Sequence, residues 1–399
     1  MNVLFEFYDP EEPILNLISC MVLKPDLCVF VGDDKLRKSR CRRPIENALR
    51  MAGMETELRF VPMDLFDFRN IGDSLQALLD EYSEDNCILD VSGGNDLLLL
   101  SAGRCSAGRN IHVVSHRMGS NCLIWLMGEN AGAFQDYDVR ITVPQTLAMA
   151  GGELLRHGHV DPADMDGETL EAIAGIFQVY RENRLKWPQF VTYIQQTDDV
   201  RYHVRNDEEI LAPRKFWVNG REVGVDLNIL GQLADLNVVE DIRINSTEVA
   251  FRYTSRAIGR YLRDVGIWLE LYLYVSMVKS GLFDHVDINT VVSWDDSDDQ
   301  TDTINEIDLI ATAGVGRMFI SCKTATPDNA ALNEIATLAR RFGGKYAVPV
   351  LATMGDLKTD SPAVFRRAVE MGIVVLDADD LESDALARKL KSICRRWDQ

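Results

Sequence analysis

The sequence predicts an α/β protein whose N-terminal part is a doubly wound sheet. Short apolar segments with the length of β-strands alternate with segments of helical period along the first 100 residues or so. Leu27–Gly32 (LCVFVG) is apolar throughout and ends in glycine, which is typical of a strand buried on both faces of a parallel sheet. Because strand and helix take turns, we expect helices on both faces of this sheet.

The elements of this first part follow in order. Helices are expected at residues 14–23, from about 41 to 54, at 71–82 and from 97 onward. Strands are expected at Asn2–Phe7, Leu27–Gly32, and residues 57–61, 86–91, 111–115 and 121–127. His116 and Arg117 follow the fifth of these strands, and a position at a strand end predicts that both are exposed.

Several polar residues and glycines follow strands that would end at the same edge of the sheet. Ligands bind at the carboxyl ends of the strands in open parallel sheets. The two glycines after residue 91 would let the backbone approach a ligand, and the following helix start offers N–H groups to an anion, although such a turn also suits a purely structural role. The expected ligand-binding residues are Tyr8, Asp9, Asp33, Lys35, Ser92, Gly93, Gly94 and Asn95.

The alternation loosens in the middle of the chain. A helix is expected at residues 167–180, and Asn219-Gly220 between two short apolar runs predicts a β-hairpin. We expect a small mixed connecting domain at residues 146–253, between domains at residues 1–145 and 254–399. No chemistry is indicated within it.

The last third carries the clearest catalytic pattern. Residues 305–324 predict a hairpin with carboxylates, Glu306 and Asp308, near the start of its first strand and Lys323 at the end of its second. Antiparallel pairing brings these ends together. Carboxylates that hold Mg²⁺ or Mn²⁺, with a lysine that neutralises developing charge, suit hydrolysis of a phosphodiester.

The elements around this hairpin add a third charged residue. Residues 256–280 predict one long, largely buried helix that carries Glu270 in its most apolar section, and a buried glutamate is rare. A helix at 329–342, a strand at 346–353, a helix at 364–371, a strand at 373–377 and a charged helix up to Trp397 are expected to follow.

This order of elements and charges resembles the PD-(D/E)xK nuclease superfamily. The resemblance implies that Glu270 and Asp308 bind the metal ion and that Lys323 is the lysine of the last motif. Ser321 stands where the family has an acid, so another carboxylate would have to replace it. Glu334, on the next helix, and Glu306 are the two candidates.

The whole layout resembles a CRISPR-associated Rossmann-fold (CARF) domain fused to such a nuclease, an ancillary effector of type III CRISPR immunity. The resemblance implies a homodimer that binds cyclic oligoadenylate, most simply cyclic tetra-adenylate, and that cleaves DNA or RNA when activated. In the family, Thr and Lys follow the Ser-Gly-Gly turn, whereas this chain has Asn95 and Asp96. Lys35 and the basic residues that follow it are candidates to supply the missing positive charge.

Composition limits these interpretations. The net charge of −20 argues against a protein that binds nucleic acid through a broadly basic surface. The eight cysteines show no paired spacing, which indicates reduced core thiols in a cytoplasmic protein, and no membrane segment is expected.

Two other functions fit parts of the sequence. A non-catalytic cyclic-nucleotide sensor with a degenerate nuclease domain would explain Ser321. A dinucleotide-dependent enzyme is disfavoured, because no GxGxxG fingerprint follows the first strand.

Overall fold

A computed structural model describes residues 1–117, 121–160, 162–294 and 303–397 of the chain. It contains two large sheets, one of seven strands and one of six, with a smaller α/β region between them in the sequence. No helix in the described ranges is long and apolar enough to cross a membrane.

The N-terminal sheet has the strand order β3-β2-β1-β4-β5-β6-β7. The first five strands in this order are parallel, and β6 and β7 extend the sheet as antiparallel strands. The strands are β1 (Asn2–Phe7), β2 (Leu27–Gly32), β3 (Glu57–Pro62), β4 (Asn86–Asp90), β5 (His112–Arg117), β6 (Cys122–Met127) and β7 (Phe134–Asp136).

Helices cover both faces of this sheet, which confirms the doubly wound prediction. Residues of α1 and α2 pack with one set of strand side chains, and residues of α3 and α4 pack with the alternate set. β2 is buried along its whole length, as its uninterrupted apolar sequence indicates. The helices are α1 (Leu15–Leu23), α2 (Ser39–Met51), α3 (Phe68–Glu81) and α4 (Asp96–Ser106).

The middle of the chain contains a four-stranded antiparallel sheet, a hairpin and helices. The hairpin turns at Asn219 and Gly220, which both have positive φ as its tight turn requires. The elements are α5 (Val143–Met149), β8 (Gly152–His157), α6 (Gly167–Glu182), α7 (Trp187–Gln196), β9 (His203–Arg205), β10 (Glu209–Pro213), β11 (Lys215–Val218), β12 (Arg221–Gly224), α8 (Leu227–Asp235), β13 (Val239–Ile244) and β14 (Glu248–Tyr253).

The C-terminal sheet has the order β19-β18-β17-β16-β15-β8. The predicted hairpin is present as β16 and β17, and β17, β18 and β19 are parallel. The elements are α9 (Arg256–Tyr261), α10 (Trp268–Ser280), β15 (His285–Trp294), β16 (Thr303–Ala313), β17 (Gly316–Lys323), α11 (Asn329–Gly343), β18 (Val348–Thr353), α12 (Leu357–Asp360), α13 (Pro362–Glu370), β19 (Val374–Leu376) and α14 (Ser383–Cys394).

The strand β8 joins this sheet from the sequence between the two large domains. It pairs antiparallel with β15 at the sheet edge. Residues of α6, α7 and α8 also share one continuous apolar core with α10 and the inner strands of the C-terminal sheet. The middle region is therefore packed as part of the C-terminal body.

The prediction of a single helix over residues 256–280 is wrong. The structure has two helices, α9 and α10, with a break between Tyr261 and Trp268. Within the break, Asp264 Oδ1 accepts hydrogen bonds from the N–H groups of Gly266 and Ile267, at 2.8 and 3.3 Å. These bonds satisfy backbone groups at the start of α10, so the second helix begins afresh after Asp264.

A loop of the N-terminal domain, Tyr8 to Ile14, contacts the C-terminal domain through a series of charges. Glu12 forms an ion pair with Arg317 of β17 at 2.5 Å, and both side chains are almost completely buried. The backbone N–H of Tyr346 also donates to Glu12, at 3.2 Å. Two further ion pairs lie near this buried pair. Asp9 Oδ2 lies 3.6 Å from Lys345 Nζ, and Glu11 Oε2 lies 3.0 Å from Arg340 Nη2.

Candidate active site

Glu270 lies in the first turn of α10 and is held there by the packing of that helix. Trp268 contacts Trp187 of α7 edge to face, with ring centroids 6.0 Å apart. Tyr272 stacks on Phe177 of α6 at 4.0 Å. These buried contacts fix the rotation of α10 about its axis, and thereby the direction of the one acidic side chain in its first turn.

The carboxylate of Glu270 accepts a hydrogen bond from Asn289 Nδ2 at 2.5 Å. Burial, and to a lesser extent the nearby carboxylate of Asp308, raise the pKa of Glu270 to about 8. The bond from Asn289 acts the other way, because it favours the ionised form.

Asp308 lies on β16 and bonds to the adjacent strand β17. Its Oδ2 accepts from the backbone N–H of Cys322 at 2.6 Å and from Ser321 Oγ at 3.4 Å. Burial raises the pKa of Asp308, while the Cys322 bond and the positive charge of Lys323 oppose that rise. Ser321, at the position where the resemblance expects an acid, therefore supports the aspartate.

Lys323 ends β17 at the wall of a cavity of about 410 Å³. Glu270 and Glu334 line the same cavity, together with Gly266 and residues of the β17–α11 connection. Asp308 bonds to the N–H of Cys322, the neighbour of Lys323, and the positive charge of Lys323 lowers the pKa of Asp308. The charge of Asp308 in turn raises the pKa of Glu270. The structure thus brings Glu270, Asp308 and Lys323 close to one another.

The two candidates for the missing acid occupy different places. Glu306 is exposed on β16, and its charge raises the pKa of both Glu270 and Asp308. Its Oε1 packs against the backbone of Gly158: a side chain at that position would place its Cβ only 2.3 Å from this oxygen. Glu334 is exposed on α11 and faces the cavity.

The candidate ligands Glu270 and Asp308 supply two of the carboxylates that a divalent cation needs, but not a third. Across the described ranges, no three His, Cys, Asp or Glu side chains are grouped closely enough to hold a metal ion. Glu270 and Asp308 nevertheless form a half-buried pair of carboxyl groups, in which the charge of Asp308 opposes the ionisation of Glu270, and a hard cation would relieve this repulsion. Two carboxylates with substrate phosphate and water are a common ligand set for Mg²⁺.

Sequence reasoning did not identify Asn289 and Asp264. Asn289 is buried on β15 with φ +48, and Asp264 lies within the break before α10 and adds to the negative charge around Glu270. Both owe their positions to tertiary contacts. The only signals in the sequence are an asparagine within an apolar strand and an Asp-x-Gly within a helical pattern.

The expected ligand-binding residues all lie at or just beyond the carboxyl ends of β1, β2 and β4. Gly93 is packed against β1, since a Cβ there would stand 2.2 Å from the carbonyl oxygen of Phe7. Gly94 has φ +87, which favours glycine. Asn95 caps α4 by accepting from Leu98 N at 2.9 Å.

Other members of this set face neighbouring elements. Tyr8 and Asp9 line a cavity of about 450 Å³ that α2, α5 and α11 also border. Asp33 accepts from the backbone N–H of Lys35 at 2.9 Å, and the exposed ammonium of Lys35 lies 3.5 Å from Asp33. These two residues therefore pair locally at the end of β2.

A buried polar network supports the turn that contains Ser92. Ser92 donates to Asp90 Oδ1 at 2.5 Å and accepts from the backbone N–H of His116 at 2.7 Å. The His116 side chain is fully buried, 2.6 Å from Ser19 Oγ of α1, so the prediction that it is exposed is wrong. The reason is that α1 covers the strand end. Glu6 lies beside Asp90 in the sheet, and burial raises its pKa well above the usual range.

The sequence matches no known protein-family model and has no significant match among curated proteins. The fold, by contrast, is shared with solved structures over nearly the whole chain. Protein VC1899 from Vibrio cholerae is 16% identical, with a TM-score of 0.75 and 98% of each chain covered. Can2 from Sulfobacillus thermosulfidooxidans, solved in complex with cyclic tetra-adenylate, is 17% identical, with a TM-score of 0.67 and 99% of each chain covered. The predicted fold, a Rossmann-like domain followed by a restriction-endonuclease-like domain, is therefore confirmed.

Proposed function

We propose that the protein is a metal-dependent nuclease of type III CRISPR defence that cyclic oligoadenylate activates. The observation that carries the proposal is the proximity of Glu270, Asp308 and Lys323, on a helix and two strands in the predicted order. Glu270 and Lys323 line one cavity, and Asp308 bonds to the N–H of Cys322 directly beside Lys323. The likeness of fold to Can2, which binds cyclic tetra-adenylate, supports the same ligand class here. By the sequence resemblance, the working form is a homodimer.

In this proposal, Glu270 and Asp308 hold Mg²⁺ or Mn²⁺, with Glu306 or Glu334 as a third acid. The cation, when bound, polarises the phosphate and lowers the pKa of a water molecule. Ser321 and the N–H of Cys322 orient the Asp308 carboxylate. Lys323 Nζ binds the scissile phosphate of DNA or RNA and offsets the charge that develops there.

Activation requires that the ligand favour one arrangement of the two domains by differential affinity. The loop after β1 is suited to transmit such a preference. Asp9, a proposed ligand-binding residue, lies on it, and Glu12 of the same loop is bonded to Arg317 near the start of β17. Lys323 lies at the other end of that strand.

A cleavage assay tests the function. Plasmid DNA, single-stranded DNA and RNA are incubated with the purified protein and Mn²⁺, with and without cyclic tetra-adenylate. We expect cleavage that requires both the ligand and the cation, and a loss of about 10²- to 10³-fold in rate for Lys323→Ala, as for removal of one group that stabilises transition-state charge. Lys279→Ala, at an exposed position on α10, is the matched control and should cleave normally.

A second candidate function is a non-catalytic sensor of cyclic oligoadenylate. The observations that favour it are the serine at position 321 and the lack, in the described part of the chain, of a three-residue metal cluster. Binding of cyclic tetra-adenylate without cleavage of any of the three substrates would favour this function over the nuclease.

A further inference from the structure

Asn289 has three hydrogen bonds that join the candidate active site to the segment after β8. Its Nδ2 donates to Glu270 Oε2 at 2.5 Å, and its Oδ1 accepts from the backbone N–H of Val160 at 3.1 Å. Its backbone oxygen accepts from Gly158 N at 2.7 Å. Both polar atoms of the amide are thus engaged at once.

These partners fix which way the amide points. Val160 offers an N–H group, which only Oδ1 can accept, so Nδ2 must face the carboxylate of Glu270. Asn289 is 3% exposed, so water does not compete for either atom. The Glu270 oxygen is consequently held by a donor whose own position is set by the segment that follows β8.

The backbone at Asn289 supports a specific role for this residue. Its φ of +48 is uncommon for a residue other than glycine, and asparagine tolerates this conformation better than most. The β15–β16 pairs Ile288 with Leu309 and Thr290 with Ile307 flank it, so Asn289 lies level with Asp308. The unusual conformation therefore occurs on the strand beside Asp308, at the residue whose side chain bonds to Glu270, and uncommon backbone conformations of this kind cluster at functional sites.

We infer that Asn289 is a positioning residue that holds the Glu270 carboxylate in the orientation that binds the divalent cation. This inference rests on the proposed function. Partners that orient a metal ligand typically change metal affinity by 10- to 100-fold when they are removed. β8 and the segment after it, which follow the N-terminal domain in sequence, anchor Asn289 and so contribute to the geometry of the site.

The test measures Mn²⁺ binding to the full-length protein by electron paramagnetic resonance, with no nucleic acid present. Asn289→Gly removes the side chain and keeps a residue suited to positive φ. Asn219→Gly is the matched control, because Asn219 also has positive φ, at an exposed hairpin turn. We expect Asn289→Gly to weaken Mn²⁺ binding at least about 10-fold and the control to bind as the wild type does.

A double-mutant cycle separates positioning from a general structural effect. If Asn289 acts through Glu270, Asn289→Gly should weaken binding little further when Glu270→Gln is already present. Melting temperatures establish that each variant is folded. If the glycine variant does not fold, Asn289→Ser, whose shorter side chain cannot reach both partners, is measured in the same way.

The outcomes are distinct. Wild-type affinity in folded Asn289→Gly or Asn289→Ser, or an undiminished effect in the Glu270→Gln background, overturns the inference and leaves the nuclease proposal standing. If the wild-type protein itself binds no Mn²⁺, the metal-dependent function is overturned and the inference with it.

Discussion

Glu270 and Asp308 are carboxyl groups that the fold partly shields from water, and this burial raises the pKa of both. In a folded domain such groups destabilise the folded state when they ionise, unless a cation or a hydrogen-bond donor compensates. Lys323 and Asn289 each compensate in part. The remaining cost is consistent with a site that is completed by a metal ion.

The raised pKa of Glu270 predicts a pH dependence of stability. Its pKa is raised from 4.5 in the unfolded chain to about 8 in the folded protein, so the unfolded state loses this proton at lower pH than the folded state does. Without metal, stability should therefore fall as the pH rises through this window. Glu270→Gln should melt like the wild type at pH 5 and a few °C higher at pH 8, as measured by thermal denaturation.

Addition of Mn²⁺ at pH 8 provides the complementary measurement. The cation binds the folded state and should raise the melting temperature of the wild type, but not that of Glu270→Gln. Parallel pH profiles for the two proteins would contradict the assignment of the raised pKa to Glu270.

Single residues differ in how far the sequence reveals them. Glu270, Asp308 and Lys323 could be predicted because each is a charged residue in an apolar segment. Burying such a charge is costly unless a partner or a metal ion compensates. Asn289 and His116 could not be predicted in this way. Their roles depend on hydrogen bonds to Val160 and Ser19, which lie about 100 residues or more away in the sequence.

At the level of elements, the apolar pattern predicts most strands and helices of both sheets, but not the strands β7, β8 and β15. It misses the break between α9 and α10, because Val265 and Ile267 continue the apolar character through it. Asp264 and Gly266 are the residues that mark the break. The sequence does not show that Asp264 accepts hydrogen bonds from the N–H groups of Gly266 and Ile267, which is what starts the new helix. The break places Glu270 in a first turn beside the cavity.

The turn between β4 and α4 offers a test of the ligand-binding edge. A Cβ at Gly93 would meet the Phe7 carbonyl, so Gly93→Ala should displace the turn from the end of β1. We expect calorimetry to show at least about a tenfold loss of affinity for cyclic tetra-adenylate, equivalent to about 1.4 kcal/mol. Gly103→Ala, within α4 and with no neighbour within 4 Å, is the control and should bind normally. Equal affinity of both variants would place the ligand elsewhere.

In the whole molecule, the two large domains contact each other through charged residues that lie far apart in the sequence. Glu12 and Arg317 are 305 positions apart, and nothing in either local sequence marks the other as its partner. The strand β8 illustrates the same limit. Its short run of residues carries no signal that it completes a sheet whose other strands begin at His285.

The buried pair Glu12–Arg317 predicts how the domains are coupled. Arg317→Met alone leaves an unpaired buried carboxylate and should destabilise the protein by about 3 to 5 kcal/mol. The double variant Glu12→Gln/Arg317→Met removes both charges and should recover most of that stability. If the pair transmits activation, the double variant should bind cyclic tetra-adenylate normally but lose at least about tenfold of the ligand's stimulation of cleavage.

Glu11→Gln/Arg340→Met removes the exposed pair nearby and is the matched control, because exposed ion pairs contribute little. Full stimulation in the double variant of the buried pair would exclude it from the coupling.

Anomalous diffraction from crystals of the protein grown with Mn²⁺ would show directly whether Glu270 and Asp308 bind a divalent cation. If Glu270 and Asp308 hold the cation, a manganese peak should contact carboxylate oxygens of both residues, on the side of the cavity that Lys323 lines. A fully occupied manganese site elsewhere, with these two side chains still bonded only to Asn289, Ser321 and Cys322, would contradict it.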